Sequence, residues 1–310
     1  MARSDHDAKT PPVVAVVGAT AAGKTGLSLE LAERWGGEIV NTDAMQVYRG
    51  MDIGTAKLPL DQRRGIPHHL LDLLDIHETA SVAEFQGLAR AQIDRLRSRG
   101  RVPVLVGGSA LYTRAVLDRF EFPGTDPVLR ARIEAELEQQ GSAALHRRLA
   151  DLDPQAARGI LTSNGRRIVR ALEVIELTGR PFSASLPTLE YAVPRAIQIG
   201  VSIDREELLA RIEIRVGQMF DDGFVDEVRA LAARGLAETR TASRAIGYPE
   251  VLAHLDGRLT EAQARERTVI ATRRFARRQE QWFRRDPRIH WFEAGAHDLV
   301  EQVLALVERS

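Results

Sequence analysis

The sequence contains no cysteine. Disulfides, thiolate metal sites, zinc knuckles and a cysteine nucleophile are therefore excluded. Lysine is nearly absent: Lys9, Lys24 and Lys57 are the only three, so almost all of the 43 basic residues are arginine. No apolar run reaches the roughly 18 residues that a membrane-spanning helix needs. The opening segment MARSDHDAKTPP lacks the hydrophobic stretch of a secretory signal. Residues 1–12 are expected to be a disordered lead. A soluble cytoplasmic protein without membrane association is the expectation. Net charge is also missing, with 43 Lys and Arg against 43 Asp and Glu. That balance conceals a split, because Arg240 to Arg288 holds twelve arginines and six acids. A locally basic face is what RNA binding requires; a solvated helical surface has the same composition.

What is present is a chain of 310 residues, 44% hydrophobic, enough for about two domains and an ample core. Residues 13–18 (VVAVVG) form a continuous β-branched run that suits a strand buried on both faces. A glycine-rich turn and a helix to about Arg34 follow, stopped by Gly36-Gly37. EIVNTD (38–43), more weakly HHLLDLL (68–74), and RVPVLVGG (101–108) read as strands, and 82–99 as a helix. Strands alternating with helices predict an α/β parallel sheet. Residues 126–180 carry helical periodicity only. Strand character returns at 196–204, helices fill 205–283, and a last strand (289–294) and helix (296–309) close the chain. The expected organisation is an α/β core over 13–119 and 196–310, interrupted by a helical insertion over 120–195.

Gly18-Ala19-Thr20-Ala21-Ala22-Gly23-Lys24-Thr25 fits G-x-x-x-x-G-K-[ST] between a strand and a helix, the context the motif requires. Its backbone N–H groups and the helix N-terminus suit phosphate, Lys24 adds a point charge, and the Thr25 hydroxyl suits Mg²⁺. The motif specifies phosphate or pyrophosphate; it does not specify ATP. The strand VPVLV runs into Gly107-Gly108, where nucleotide hydrolases commonly place a metal-binding Asp, and no Asn-Lys-x-Asp guanine reader exists. Asp43 ends the second strand on the ligand-binding edge of the sheet. A carboxylate there serves as a general base, a helix cap or a metal-shell oxygen. Ser109 follows Gly107-Gly108 at the same edge; by itself that segment is a turn. His68 and His69 show no metal-ligand spacing. Trp282 and Phe283 suit a core or a base-stacking platform.

The strings GATAAGKT, NTDAMQVYRGMDIGTAK, GGSALY, RRIVRALEVIELTGRP, RIEIRVGQM, RAIGY and RRQEQWFR occur in that order. Over roughly residues 13–292 the chain resembles the bacterial tRNA dimethylallyltransferase family. The resemblance implies a P-loop, nucleoside-kinase-like parallel sheet with a helical insertion that embraces a tRNA anticodon stem-loop. It implies transfer of a dimethylallyl group from dimethylallyl diphosphate, with Mg²⁺, to N6 of adenosine 37 in tRNAs that read codons beginning with U. The phosphate loop (Gly18, Ala19, Thr20, Ala21, Ala22, Gly23, Lys24, Thr25) would hold the diphosphate. Carried over position by position, Asp43 matches the base, Ser109 a hydroxyl near the reacting amine, and Arg215 an arginine beside the diphosphate. Matching RNA-contact segments are Asp43, Ala44, Met45 and Gln46; Arg130; Arg166, Arg167, Ile168, Val169 and Arg170; Arg244, Ala245, Ile246, Gly247, Tyr248 and Pro249; and Arg277, Arg278 and Arg284. Departures include Ala19 for Pro, Ala44 for Ser, Ser109-Ala110 for Thr-Gly, Asn164 for Asp, Arg166 for Gln, Pro249 for a basic residue and Gln281 for Thr. Nothing in the sequence demands a dimer, so a monomer is expected. The rival readings are an ATP-dependent small-molecule kinase, a prenyl transfer to free AMP, and an RNA-binding protein with a vestigial phosphate loop.

Overall fold

The computed structural model describes residues 10–120, 122–185 and 189–309. In chain order the first stretch comprises β1 (Val13–Gly18), α1 (Lys24–Trp35), β2 (Glu38–Asn41), β3 (His68–His69), α2 (Val82–Ser98), β4 (Pro103–Val106) and α3 (Ala110–Leu117). A helical stretch follows with α4 (Pro127–Gln140), α5 (Ser142–Leu152), α6 (Pro154–Gly159) and α7 (Gly165–Thr178). The chain then forms β5 (Ala196–Ser202), α8 (Arg205–Asp221), α9 (Phe224–Ala232), α10 (Tyr248–Leu255), α11 (Glu261–Phe283), β6 (Ile289–Glu293) and α12 (Leu299–Glu308). Two compact units result: one runs up to Leu117 and resumes at Val193, and the other is Asp118–Ala192.

The first unit is an α/β layer structure around one six-stranded sheet, ordered β3-β2-β4-β1-β5-β6. Every pairing is parallel, for example Val14 opposite both Val104 and Ile197. β1 is buried along its whole length, as its unbroken apolar run requires in a parallel sheet covered on both faces. Each fully buried valine there contributes about 1.5–3 kcal/mol relative to exposure. Parallel strands place the C-terminal ends of β1, β4 and β2 side by side on one edge, so the three loops that follow them are neighbours. Helix α11 packs against β1, α3, α8 and α10. Its buried positions Ala264, Thr268, Val269, Ala276, Gln279 and Phe283 make one stripe; Arg274, Arg277 and Arg278 are exposed.

Several boundaries differ from the sequence expectation for local reasons. β2 stops at Asn41, short of Asp43, because the Asn41 side chain accepts from the Asp43 N–H at 2.8 Å and donates to the Asp43 carbonyl at 3.1 Å, replacing the ladder. The strand expected over 68–74 is only His68–His69, since Leu70 and Asp72 take left-handed φ of 63° and 56°. The lead expected over 1–12 lies outside the described residues up to residue 9. Beyond it the chain is tied down: Arg195 donates to the Thr10 carbonyl at 2.7 Å and Arg97 to the Pro11 carbonyl at 2.9 Å.

The second unit is all-helical, with Ile133, Leu145, Leu149, Ile168 and Leu172 in its core. Asp126, Asp153 and Asn164 cap α4, α6 and α7 through side-chain oxygens. The fully buried Glu173 receives Arg130 at 2.6 Å and Arg170 at 2.7 Å. These two cations hold its carboxyl below the usual range despite the burial that opposes them.

Candidate active site

The phosphate loop turns directly out of β1. Ala21 takes a left-handed φ of 62°, and Gly23, at φ 98°, is the N-cap of α1 without a side-chain cap. The helix therefore opens on backbone amides, a geometry that favours an anion. Lys24 folds back to donate to the Ala19 carbonyl at 2.6 Å. Its pKa is pulled from the ordinary 10.5 to about 8, first by burial and then by the Arg215 guanidinium, with Asp43 opposing. Arg215 is likewise lowered by burial and supported by Asp43. Two cations and one carboxylate thus share this site, and their excess positive charge favours an anion. Thr25 is exposed in the first turn of α1.

Asp43 is held by its own turn. Its Oδ1 accepts the Met45 N–H at 2.9 Å, and its N–H donates to Asn41. The Ser109 hydroxyl accepts the Ala44 N–H at 3.4 Å, tying the loop after β4 to the loop after β2. A cavity of about 310 Å³ opens beside these groups. Thr20, Asp43, Ser109 and Arg215 contribute polar lining; Met45, Val216, Met219, Ile246 and Phe275 contribute apolar lining. Arg244 and Arg278 add charge, and Gly54, Thr55 and Ala56 complete another part of the wall. Such a lining suits an anionic group joined to a small apolar one.

The wall segment is anchored by charge. Glu227 on α9 accepts the N–H groups of Asp52 (2.8 Å), Ile53 (2.6 Å) and Gly54 (3.1 Å), and also the Tyr248 hydroxyl (2.7 Å). Burial, then Glu227, drives the Tyr248 pKa far up, so this phenol stays a donor. A Cβ at Gly54 would meet Phe224 at 2.2 Å and Tyr248 at 2.6 Å, so only glycine lets the wall pass. Lys57, whose side chain is 3% exposed, donates to the Tyr48 carbonyl at 3.0 Å, Asp52 at 2.5 Å and Asp72 at 2.6 Å. Gln46 donates to the carbonyls of Thr55 at 3.0 Å and Ala56 at 3.3 Å.

With this geometry in view, comparison with known proteins gives a consistent result. The family model described as IPP transferase matches residues 46–286. A protein of Nocardioides sp. named tRNA dimethylallyltransferase is 68% identical over 296 residues, covering 96% of each chain. One from Streptomyces coelicolor with the same name is 62% identical over 302 residues, again covering 96% of each. The chain belongs to the IPP transferase family. Among solved structures, the tRNA isopentenylpyrophosphate transferase of Bacillus halodurans superposes with a TM-score of 0.69 at 40% identity, covering 96% of this chain and 95% of that one. A eukaryotic dimethylallyltransferase acting on tRNA gives 0.82 at 26% identity, covering 96% and 78%.

For the metal that this family implies, the donor set is informative. Among the described residues no group of three or more His, Asp or Glu is arranged to hold an ion. Mg²⁺ bound together with a diphosphate takes few protein oxygens, so an ion carried in that way would not require such a group. The Thr25 hydroxyl and the Asp43 carboxylate are the oxygens at hand.

The structure sorts the positions singled out in the family motifs. Of the phosphate loop Thr20 lines the cavity, together with Asp43, Ser109, Arg215, Ala44, Met45, Arg244, Ala245, Ile246 and Arg278, and Lys24 is electrostatically coupled to Arg215 and Asp43. Gln46 points to the wall segment instead. Gly247 is the N-cap of α10, the Tyr248 side chain is fully buried on Glu227, and Pro249 is exposed in the first helical turn. Arg277 and Arg278 part company. Arg278 lies over the Phe275 ring at 5.9 Å, whereas Arg277 lines a separate groove of about 910 Å³ with Arg205, Arg273, Arg274, Arg284 and Arg285 over a floor of Leu208, Leu209 and Ile212. Arg284 stacks on Trp291 at 4.0 Å. Phe283 is core, and Trp282 is 47% exposed with Arg285 over its ring at 5.6 Å. In the second unit Arg166 and Arg167 are exposed, Ile168 and Val169 are core, and Arg130 and Arg170 are committed to Glu173.

Two positions that shape the site escaped the sequence reading, Glu227 and Lys57 as an anchor, and Gln279, within the segment from Arg277 to Arg284 that resembles an RNA contact, is turned inward instead. Gln279 is 5% exposed within the apolar stripe of α11. A glutamine at a core position is itself a signal, since a buried amide must find partners.

Proposed function

We infer that this chain transfers a dimethylallyl group from dimethylallyl diphosphate to N6 of an adenosine in tRNA, at position 37 of the anticodon loop. The observation that carries the reading is that Arg215 and Asp43 lie on one cavity with an apolar lining and are electrostatically coupled to Lys24 of the phosphate loop, in a member of this family. The phosphate loop and the two cations hold the diphosphate, and Val216, Met219 and Phe275 enclose the isoprenyl tail. Mg²⁺, when bound with the diphosphate at Thr25, supplies further neutralisation of the leaving group. The N6 lone pair is delocalised into the ring, so the amine is a poor nucleophile until its proton is taken. As the C–N bond forms and the allylic C–O bond breaks, the N6 proton passes to the Asp43 carboxylate and the electron pair leaves with diphosphate. A positioned base is worth roughly 10²–10⁴ in rate. Preorganised cations aimed at developing charge are worth several kcal/mol more. Ser109 orients the amine. The apolar lining of Val216, Met219, Ile246 and Phe275 limits water at the allylic centre.

A base extruded from a loop costs little to unstack, which suits an anticodon-loop acceptor. Arg244, Arg277, Arg278 and Arg284, with Arg166 and Arg167 of the helical unit, supply RNA contacts. In this reading the acting species is a single chain working in the cytoplasm. The test is incubation with labelled dimethylallyl diphosphate and tRNA, AMP, or ATP with a panel of small molecules. Label in tRNA alone is expected; label in AMP, or phosphate passing from ATP to a small molecule, would reject the reading.

A further inference from the structure

Gln279 occupies a position from which it reaches two of the three loops at the sheet edge. Its Oε1 accepts the Thr20 N–H at 2.8 Å, and its Nε2 donates to the Gly108 carbonyl at 2.8 Å. Thr20 belongs to the phosphate loop, and Gly108 precedes Ser109, whose hydroxyl holds the Ala44 amide next to Asp43. The fit is close: a Cβ on Gly108 would lie 2.1 Å from Gln279 Nε2. One turn earlier on α11, Phe275 lines the cavity.

We propose that Gln279 is a positioning residue that fixes the diphosphate-holding loop against the loop carrying Ser109, and so sets the distance between the leaving group and the acceptor amine. The proposal rests on the transfer reaction inferred above. Only a group that donates and accepts at once satisfies both partners. The Thr20 amide is already used by this side chain, so it orders the loop and does not face the anion. The neighbouring arginines on α11 face the cavity or the basic groove, whereas Gln279 is turned into the core and braces the site from behind.

The chemistry yields a readout that a merely structural glutamine would not give. In Gln279→Glu, a protonated carboxyl reproduces both bonds, its O–H donating to Gly108 and its C=O accepting from Thr20. The ionised form is acceptor-only and confronts the Gly108 carbonyl. Gln279→Leu satisfies neither partner at any pH. The experiment measures binding of inorganic diphosphate with Mg²⁺ by calorimetry, and single-turnover transfer, between about pH 5.5 and pH 8.5. The charged groups at the site are Lys24, Asp43, Arg215, Arg244 and Arg278, with Glu280 adjacent, and because Lys24 loses its proton near pH 8 the variant-to-wild-type ratios are decided below about pH 7. For Gln279→Leu, diphosphate affinity should fall about tenfold and the transfer rate roughly 10²-fold across the range, the scale of a misplacement of about 1 Å, with tRNA affinity unchanged. For Gln279→Glu, both ratios should approach one at the acid end and fall as pH rises. A ratio for Gln279→Glu that is flat with pH, or a defect confined to tRNA affinity, would overturn the proposal. The Gln279→Glu ratio to wild type is followed across pH in one folded variant, so it decides even where Gln279→Leu folds poorly. Diphosphate binding needs neither tRNA nor transfer; a wild-type protein that transfers nothing would reject the reaction and leave this test standing.

Discussion

Replacing Lys24 by methionine should make the free protein more stable while removing its hold on diphosphate. Burial and Arg215 lower the Lys24 pKa from 10.5 to about 8. A displacement of that size corresponds to roughly 3 kcal/mol of unfavourable free energy for the charged form. The sign follows from proton linkage. Below pH 8 folded and unfolded chains both carry the proton, so the full cost is present. Between about pH 8 and 10.5 the unfolded chain binds more protons, so stability rises with pH there. Methionine keeps the aliphatic stem and removes the charge. It also loses the 2.6 Å bond to the Ala19 carbonyl, which offsets about 1 kcal/mol. The net expectation is a gain of about 2 kcal/mol at pH 7, or roughly 4–8 °C in Tm. Tryptophan fluorescence is a suitable assay, because Trp35, Trp282 and Trp291, the three tryptophans of the chain, all lie in the unit that holds Lys24. Urea unfolding followed this way should show the variant ahead at pH 7 and the gap closing by up to about 1.4 kcal/mol per pH unit above pH 8. Added diphosphate should stabilise only the wild type. A variant no more stable at pH 7, or a gap that does not close with pH, would refute the charge-strain argument at the phosphate loop.

Glu227→Gln removes a carboxylate shared by three amides, so hydrogen exchange at Asp52–Gly54 should accelerate about 10–100-fold and the donor KM should rise; unchanged exchange would count against Glu227 as the anchor of the wall. Asp43→Asn should bind both substrates yet lose roughly 10²–10⁴ in single-turnover transfer; recovery at higher Mg²⁺ would make Asp43 a metal or positioning group. Arg277→Ala and Arg278→Ala should each reduce the salt slope of tRNA binding by about one, but only Arg278→Ala should also weaken the donor, because Arg278 alone of the two lines the cavity.

What the sequence revealed and what it hid divide along physical lines. The buried strand VVAVVG, the loop ending in Lys24-Thr25 and the strand ahead of Gly107 are local patterns, and a parallel sheet then forces their loops onto one edge. Strand ends were less legible: the side chain of Asn41 ends β2, and two left-handed residues cut β3 short, neither of which periodicity registers. The anchors were hidden for a different reason. Glu227 reaches amides 173 to 175 residues away, and Gln279 partners 171 and 259 residues away, so no local spacing marks them. Arginine counts misled in the opposite direction. Composition alone does not separate Arg130 and Arg170, which neutralise the buried Glu173, from the exposed Arg166 and Arg167. Nor does adjacency in sequence keep Arg277 and Arg278 on one face, because successive helix residues point about 100° apart.

The central claim is that the cavity joins a diphosphate-bound prenyl group to an adenine of tRNA. The most direct measurement reacts purified protein with dimethylallyl diphosphate, Mg²⁺ and unmodified tRNA, then digests the RNA and locates the added mass by mass spectrometry while released diphosphate is counted. The account predicts one N6-dimethylallyladenosine, at position 37 of the anticodon loop, with one diphosphate released per modified base and no ATP required. Modification elsewhere in the RNA, none at all, or stoichiometric consumption of ATP would contradict it.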